Sequence, residues 1–103
     1  MARLRGSART YLRGLAHHLR PVVQLGKNGV SERLVAEVKQ ALETHELIKL
    51  KFVNFKEEKK ALAKEIEAQT QSEMVGLIGH IAIFYREQHD PERRKIHIPE
   101  NRR

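Results

Sequence analysis

The 103-residue sequence contains no cysteine, which excludes disulfide bonds and thiolate metal ligands. Chains without cysteine are compatible with a reducing compartment, and we therefore predict a cytoplasmic protein. No apolar run is long enough to span a bilayer, and no apolar signal-peptide segment lies near the N-terminus. The length suits a single domain with an adequate core of its own.

Acidic residues are missing from the first 31 positions, so the charge is unevenly distributed. The whole chain has 20 Lys and Arg residues against 13 Asp and Glu residues, a formal net charge of +7 and a pI near 10.1. The early cations are Arg3, Arg5, Arg9, Arg13, Arg20 and Lys27. This balance favours a polyanion, above all nucleic acid, as the partner. An Arg-rich start without acids also resembles an organelle transit peptide, although the same stretch fits the first helix of the domain.

The sequence also lacks a recognisable catalytic or metal-binding motif. No pair among the six histidines has the spacing of a metal site. His45-Glu46 begins like the helix motif of zinc proteases, but Lys49 stands where the second histidine ligand is required. Gly26-Lys27 lacks the upstream glycine and the following hydroxyl of a Walker loop. We therefore expect a protein without enzymatic activity, cofactor, metal or small-molecule substrate.

Hydrophobic periodicity predicts seven elements in the order α-β-α-β-α-β-β. Ser7 is the expected N-cap of the first helix, and Pro21 ends that helix. Residues 22–25 form a short β-branched run that predicts a buried strand. Ser31 is expected to cap the second helix. A right-handed crossover through that helix makes the first two strands parallel.

Alternation over residues 47–53 predicts a strand with part of one face outside the core. Its apolar face carries Ile48, Leu50 and Phe52, and its other face carries Lys49 and Lys51. A third helix is expected over residues 56–70. Its inward residues are predicted to be Ala61, Leu62, Ile66 and either Gln69 or Thr70.

The last predicted elements are two strands over residues 74–78 and 81–85, joined by a type II′ turn at Gly79-His80. Residues 95–98 have the pattern of a short additional edge strand. The elements together predict an α/β fold of two layers, with a four-stranded mixed sheet and most helices on one of its faces.

The loop Gly26-Lys27-Asn28-Gly29 is the most specific candidate for a binding site. It joins a strand to the start of a helix, where unpaired amides attract phosphate. Its glycines permit close approach of backbone to backbone, Lys27 adds a cation, and Asn28 adds donors. Gly-x-x-Gly loops clamp the sugar-phosphate backbone in KH-type RNA-binding proteins. The alternative is an ordinary strand-to-helix turn in which the glycines are needed only for the backbone conformation.

Several further side chains are candidates for nucleic-acid contact. They are Arg13, His17 and Arg20 near the first helix, and Lys49 and Lys51 on the second strand. Each of these is also compatible with ordinary solvation of a surface. Phe84 and Tyr85 alternate along the last strand, so at least one belongs to the core and the other is a candidate for stacking on a base.

Three blocks of the sequence, taken in order, resemble the YhbY-like, or CRM, RNA-binding domain. The first runs from Leu12 to Gly29 and reads LRGLAHHLRPVVQLGKNG. The second is HELIKLK at residues 45–51, and the third combines VGLIG at 75–79 with IFYR at 83–86. The resemblance covers residues 12–86. Glu87 departs from it, because members of the family often place a proline soon after the Tyr-Arg pair.

The resemblance implies a fold similar to that of the C-terminal domain of translation initiation factor three. It also implies that Gly26, Lys27, Asn28 and Gly29 contact RNA. Stand-alone bacterial members associate with precursors of the large ribosomal subunit. This chain is expected to be of that type, a monomer that binds ribosomal RNA and assists subunit assembly.

Two alternatives remain open at this point. One is an initiation or anti-association factor, and the other is a ribosomal protein; both would bind mature subunits. The expected division of the chain is a CRM-type domain over residues 1–98 and a basic tail over residues 99–103.

Overall fold

The computed structural model describes residues 3–103, which form three α-helices and one four-stranded sheet. The helices are α1 (Gly6–Ala16), α2 (Glu32–His45) and α3 (Lys59–Thr70), and the strands are β1 (Pro21–Leu25), β2 (Leu47–Phe52), β3 (Glu73–Ile78) and β4 (Ile81–Tyr85). Short 3₁₀ turns lie at Lys56–Glu58, Pro91–Arg93 and Glu100–Arg102. The predicted order α-β-α-β-α-β-β is confirmed.

The sheet is mixed, with the strand order β1-β2-β4-β3. Strands β1 and β2 are parallel, as the crossover rule predicts, and β4 is antiparallel to both of its neighbours. The turn between β3 and β4 has positive φ at Gly79 (60°) and not at His80, as a type II′ turn requires. Because β1 and β2 are parallel and β4 is antiparallel to β2, the loops that follow β1 and β2 lie at the same end of the sheet as this turn.

One face of the sheet packs against α2 and α3 and forms the larger core. The alternation of β2 is confirmed, since Ile48, Leu50 and Phe52 are at most 1% exposed and lie in this core. On α3 the inward position is Ala63 rather than the predicted Ala61, which is exposed. The other predicted inward residues are confirmed, since Ile66 and Thr70 are buried and Leu62 is partly buried against the core. A 3₁₀ turn at Lys56–Glu58 places the start of the α-helix at Lys59, so Ala61 lies in its first turn.

The other face of the sheet is covered by α1 and by the chain that follows β4. Ala8, Leu12 and Ala16 of α1 pack with Leu47, Val75, Ile83, Tyr85 and Ile98. The helix begins at Gly6, so the prediction that Ser7 caps it is wrong. The Ser7 hydroxyl instead donates a hydrogen bond to the Arg102 carbonyl at 3.2 Å, across the junction of the two chain ends.

Strand β1 is an edge strand, and the prediction that it is buried is wrong. Only Val23 and Leu25 are buried, while Val22 is 53% exposed. A short β-branched run does not distinguish a central strand from an edge strand. In β1, Val23 and Leu25 face the core under α2 and α3, whereas Val22 points to the other face.

The segment 95–98 forms no strand, which corrects the prediction of an edge strand there. Its backbone amides bond to a side chain instead. The buried carboxylate of Glu46 accepts hydrogen bonds from the amides of Lys95 (2.6 Å), Ile96 (3.0 Å) and Gln88 (2.8 Å). Further along, Ile98 is buried and the Arg103 carbonyl accepts a bond from Arg5, so the tail contacts the start of α1. The boundary at residue 98 stays a prediction, and residues 1 and 2 lie outside the described residues.

Candidate nucleic-acid interface

Three segments meet at one end of the sheet, which we call the loop end. They are the loop Gly26–Gly29 after β1, the residues 53–58 after β2, and the turn Gly79-His80 between β3 and β4. The amides of Val53 and Asn54 both donate to the Leu25 carbonyl, at 3.0 and 3.1 Å. These bonds hold the second segment against the start of the first.

The Gly26–Gly29 loop is a tight turn with its two polar residues at the tip. The Gly29 amide donates to the Gly26 carbonyl at 3.0 Å, and Gly29 has a φ of 64°, in the left-handed region that favours glycine. Lys27 and Asn28 are exposed. Within residues 3–103 their backbone amides have no acceptor, so they are available to an anion.

The start of α2 is less available to an anion than the sequence suggests. The Ser31 hydroxyl accepts a hydrogen bond from the Leu34 amide at 3.1 Å, which confirms the predicted cap. The Ser31 amide donates to the Gly29 carbonyl, and the acidic side chain of Glu32 already lies in the first turn. We therefore expect the turn amides and the Lys27 side chain to contribute more to phosphate binding than the dipole of α2 does.

Phe55 lies beside this loop, and the sequence reasoning did not identify it. Its side chain is 42% exposed, and its φ of 56° is left-handed, which is unusual for a residue other than glycine. A Cβ atom placed on Gly29 would lie 3.5 Å from the Phe55 ring, so the ring packs on that glycine. An aromatic residue between a strand end and a lysine was the available signal.

Three lysines supply positive charge at the loop end. Lys59 donates from its ammonium to the Gly79 carbonyl, and its Nζ lies 3.4 Å from Nδ1 of His80. Desolvation lowers the pKa of the His80 imidazole below its ordinary value, and nearby positive charge lowers it further. That charge comes from Lys59, Lys56 and Lys51. The same surface therefore presents three ammonium groups and a neutral imidazole at pH 7.

The predicted residues of α1 and of the α1–β1 connection lie away from this end. Arg20 precedes β1 and Gly26 follows it, so a strand of roughly 16 Å separates them. His17 stacks edge-on against His18, with ring centroids 5.2 Å apart, and both are exposed. The structure thus places Lys51 at the same end of the sheet as the Gly26–Gly29 loop, and leaves His17 and Arg20 in a second region.

Two of the predicted cations bond to backbone carbonyls of the protein itself. Lys49 donates from Nζ to the Leu19 carbonyl at 3.0 Å. Arg13 donates from Nη1 to the Val75 carbonyl at 2.8 Å and lies over Gly76, where a Cβ atom would come within 2.8 Å of its Cδ. Both side chains hold α1 and the residues after it on the sheet, so an RNA contact is not needed to explain them.

The second region borders a groove of about 560 Å³ between α1, the start of β1 and the chain after β4. Its lining includes exposed apolar side chains of Leu15, Leu19 and Val22. Its polar members are Arg20, His45, Lys95 and His97, and together with Tyr11, Leu47, Ile48 and Ile96 they complete the lining. No acidic residue lines this groove within the described part of the chain.

The expectation that Phe84 or Tyr85 stacks on a base is wrong, because both are buried, at 0% and 1% exposure. They lie on opposite faces of β4, and each face is covered, one by α2 and α3 and the other by α1. Burial raises the pKa of the Tyr85 phenol to about 12, and Glu87 and Glu46 contribute to that shift.

Among residues 3–103, no helix is long and apolar enough to cross a membrane.

Comparison with known proteins gives a family match over most of the chain. The CRS1/YhbY (CRM) domain family matches residues 4–86. An RNA-binding protein of Haemophilus influenzae is 42% identical over 100 residues, which cover 96% of this chain and 98% of that protein. The probable RNA-binding protein YqeI of Bacillus subtilis is 35% identical over 97 residues, covering 93% of this chain and 99% of that protein.

A solved structure has the same fold. The solution structure of a hypothetical protein from Staphylococcus aureus superposes with a TM-score of 0.76 at 36% sequence identity. The match covers 91% of this chain and 99% of that one. The fold predicted from the sequence, an α/β domain with a four-stranded mixed sheet, is confirmed by the structure and by this neighbour.

Proposed function

Because the chain belongs to the CRS1/YhbY (CRM) domain family, we propose that it binds RNA and that the loop end grips the phosphate backbone. The observation that carries the proposal is the exposed turn Gly26–Gly29 at the same end of the sheet as His80 and the lysines around it, Lys51, Lys56 and Lys59. The names of the relatives from Haemophilus influenzae and Bacillus subtilis support the RNA ligand.

The proposed grip combines two kinds of contact. The amides of Lys27 and Asn28 donate hydrogen bonds to phosphate oxygens, and the Lys27 ammonium adds charge. The other lysines at the loop end, Lys51, Lys56 and Lys59, attract the neighbouring phosphates. Each cation that neutralises a phosphate releases counterions, so binding weakens as salt rises.

His17, Arg20 and the charged Arg13 form a second basic region, and we propose that it contacts the same RNA outside the loop end. Lys49 extends it toward β1. A nucleic acid that reaches both regions has to follow β1 over its length, roughly 16 Å, which is a span of a few nucleotides.

For the RNA itself we propose ribosomal RNA in precursors of the large subunit, with the chain as a cytoplasmic, monomeric assembly factor without enzymatic activity. This rests on the resemblance of residues 12–86 to stand-alone bacterial CRM proteins. Gradient sedimentation of the tagged chain tests it. Migration with precursor particles alone agrees with assembly, whereas migration with mature subunits favours an initiation or anti-association factor or a ribosomal protein.

The grip is tested by binding to a large-subunit ribosomal RNA transcript across a salt series. We expect Lys27→Ala with Asn28→Asp to weaken binding by at least about tenfold, the size of one lost charge-assisted hydrogen bond. The slope of log affinity against log salt should fall by about 0.7 to 0.9 for the lost cation.

A matched control carries the same change of charge elsewhere. Lys39→Ala with Gln40→Glu alters two exposed positions on α2 that lie roughly 16 Å from the loop along the helix. We expect this variant to bind nearly as the wild type does. Equal losses in the two double variants would mean that net charge, and not the loop, governs affinity.

A further inference from the structure

We propose that the loop end takes an unpaired nucleotide, whose base stacks on the ring of Phe55 while its phosphate lies at the Gly26–Gly29 turn. This inference rests on the proposed RNA-binding function and specifies its ligand as single-stranded RNA. It assigns to Phe55 the part of base recognition that Phe84 and Tyr85, both buried, cannot take.

Phe55 is the one exposed side chain among the phenylalanines and tyrosines of residues 3–103; Phe52, Phe84 and Tyr85 are at most 1% exposed and Tyr11 is partly covered. It contributes nothing to either hydrophobic core. The 3₁₀ turn that follows it, Lys56–Glu58, has no buried residue. Neither hydrophobic core therefore requires an aromatic residue at this position.

The backbone at Phe55 makes the choice of residue more unusual. Its left-handed φ of 56° is a conformation that favours glycine or asparagine. The Phe55 carbonyl accepts the first bond of the 3₁₀ turn, from Glu58 at 3.1 Å, which fixes this conformation. Strained residues of this kind cluster at binding sites. In this conformation the ring lies over Gly29, where a Cβ atom would meet it at 3.5 Å, an ordinary van der Waals contact.

The surroundings of the ring fit a nucleotide. The ring packs on Gly29, and the phosphate-binding amides of Lys27 and Asn28 belong to the same turn. Lys56 follows Phe55 directly in the chain. A base stacked on an aromatic ring with lysines around its phosphates is the usual arrangement in proteins that bind single strands.

The geometry selects an unpaired base. In an A-form duplex the flat faces of the bases are covered by their neighbours, and proteins reach mainly the phosphates and 2′-hydroxyl groups. A stacking ring beside a phosphate turn therefore discriminates against duplex RNA, which would use the lysines only.

The absence of tryptophan from the chain allows a direct test. In a Phe55→Trp variant the indole is the only tryptophan, and we expect a single-stranded oligoribonucleotide to quench its fluorescence on binding. A duplex of the same sequence should cause little quenching at equal occupancy. Anisotropy of a labelled RNA gives the occupancy independently.

Affinity measurements supply the second readout. We expect Phe55→Ala to weaken binding of the single-stranded RNA by about 5- to 150-fold while the salt slope stays unchanged, because no phosphate contact is lost. Phe55→Tyr should bind as the wild type does, and Phe55→Leu should bind nearly as weakly as the alanine variant. Ile78→Ala, which alters an exposed apolar residue outside the three segments of the loop end, is the matched control and should have no effect. Circular dichroism and thermal denaturation verify that each variant is folded.

The outcomes separate the two proposals. If the wild type binds RNA with the expected salt slope but Phe55→Ala binds equally well and the indole is not quenched, stacking is overturned and the phosphate grip stands. If Phe55→Leu retains full affinity, the ring acts as an apolar contact and stacking is again overturned. If the wild type binds neither the single-stranded RNA nor the duplex, the proposed function fails and the stacking proposal fails with it.

Discussion

The carboxylate of Glu46 is the interaction on which the chain after β4 depends most, and replacing it gives a quantitative test of the fold. Glu46 is 1% exposed and follows α2 with a φ of 65°. Its two oxygens accept the backbone amides of Gln88, Lys95 and Ile96 at 2.6 to 3.0 Å. One side chain thereby replaces the strand pairing that residues 95–98 lack.

The magnitude follows from the donors left unpaired. Glu46→Ala removes the acceptor of three amides, and each buried donor without a partner costs about 1 kcal/mol or more. We expect the free energy of unfolding to fall by roughly 3 to 4 kcal/mol, a large share of the ~5 to 15 kcal/mol of a domain. Glu46→Gln keeps one carbonyl oxygen and should lose about half as much.

Urea denaturation measures the loss, and amide hydrogen exchange locates it. Exchange should accelerate at Gln88, Lys95 and Ile96 before it does in β2 or β4. The control is Glu37→Gln, an exposed partner of Arg33 whose replacement should change stability by no more than about 0.5 kcal/mol. A loss under about 1 kcal/mol in Glu46→Ala, with unchanged exchange at these amides, would refute the account of Glu46.

Two further predictions concern a glycine and a tyrosine. Gly29→Ala should lower the free energy of unfolding by about 1 kcal/mol, because alanine is disfavoured at a φ of 64°. Gly14→Ala in α1 has open space around it and should not lower stability, and thermal denaturation compares the two variants. The buried Tyr85 hydroxyl has no hydrogen-bond partner within residues 3–103, so Tyr85→Phe should be neutral or stabilising by up to about 1 kcal/mol. Since folding raises the pKa of this phenol from 10 to about 12, the wild type should lose stability relative to Tyr85→Phe as the pH rises through that range, and parallel alkaline melts that show no divergence would contradict this.

Sequence periodicity was sufficient for the order of the helices and strands and for the buried faces of β2 and α2. The alternation of Ile48, Leu50 and Phe52 predicted which face of β2 is buried, and Ser31 marked the start of α2. These features depend on local patterns of period 2 or 3.6, which a single sequence contains. On α3 the predicted inward residues Leu62, Ile66 and Thr70 are confirmed, and only Ala61 was misplaced, because the 3₁₀ turn before Lys59 sets where the helix begins.

The site was predictable only in part. The Gly26–Gly29 turn was identified from its glycines and its place between a strand and a helix. Phe55 was not, because its proximity to Gly29 depends on the parallel pairing of β1 with β2, a contact between distant parts of the chain. Arg13 and Lys49 were counted with the exposed cations for the same reason, since their acceptors, the carbonyls of Val75 and Leu19, are remote in sequence.

Glu46 illustrates how a local motif can mislead. In the sequence it forms half of an incomplete zinc-protease pattern with His45. In the structure it ends α2, and its amide donates to the Leu42 carbonyl at 2.8 Å while its side chain anchors a distant segment. A buried carboxylate that accepts three amides has a structural role that no spacing rule detects.

The most direct test of the central claim is to map the amides of the wild-type chain by NMR as a single-stranded RNA is added. We expect the largest chemical-shift changes at Gly26–Gly29, Phe55 and His80, with smaller changes near Arg20. Changes confined to the groove around Arg20, with the loop end unaffected, would contradict this expectation.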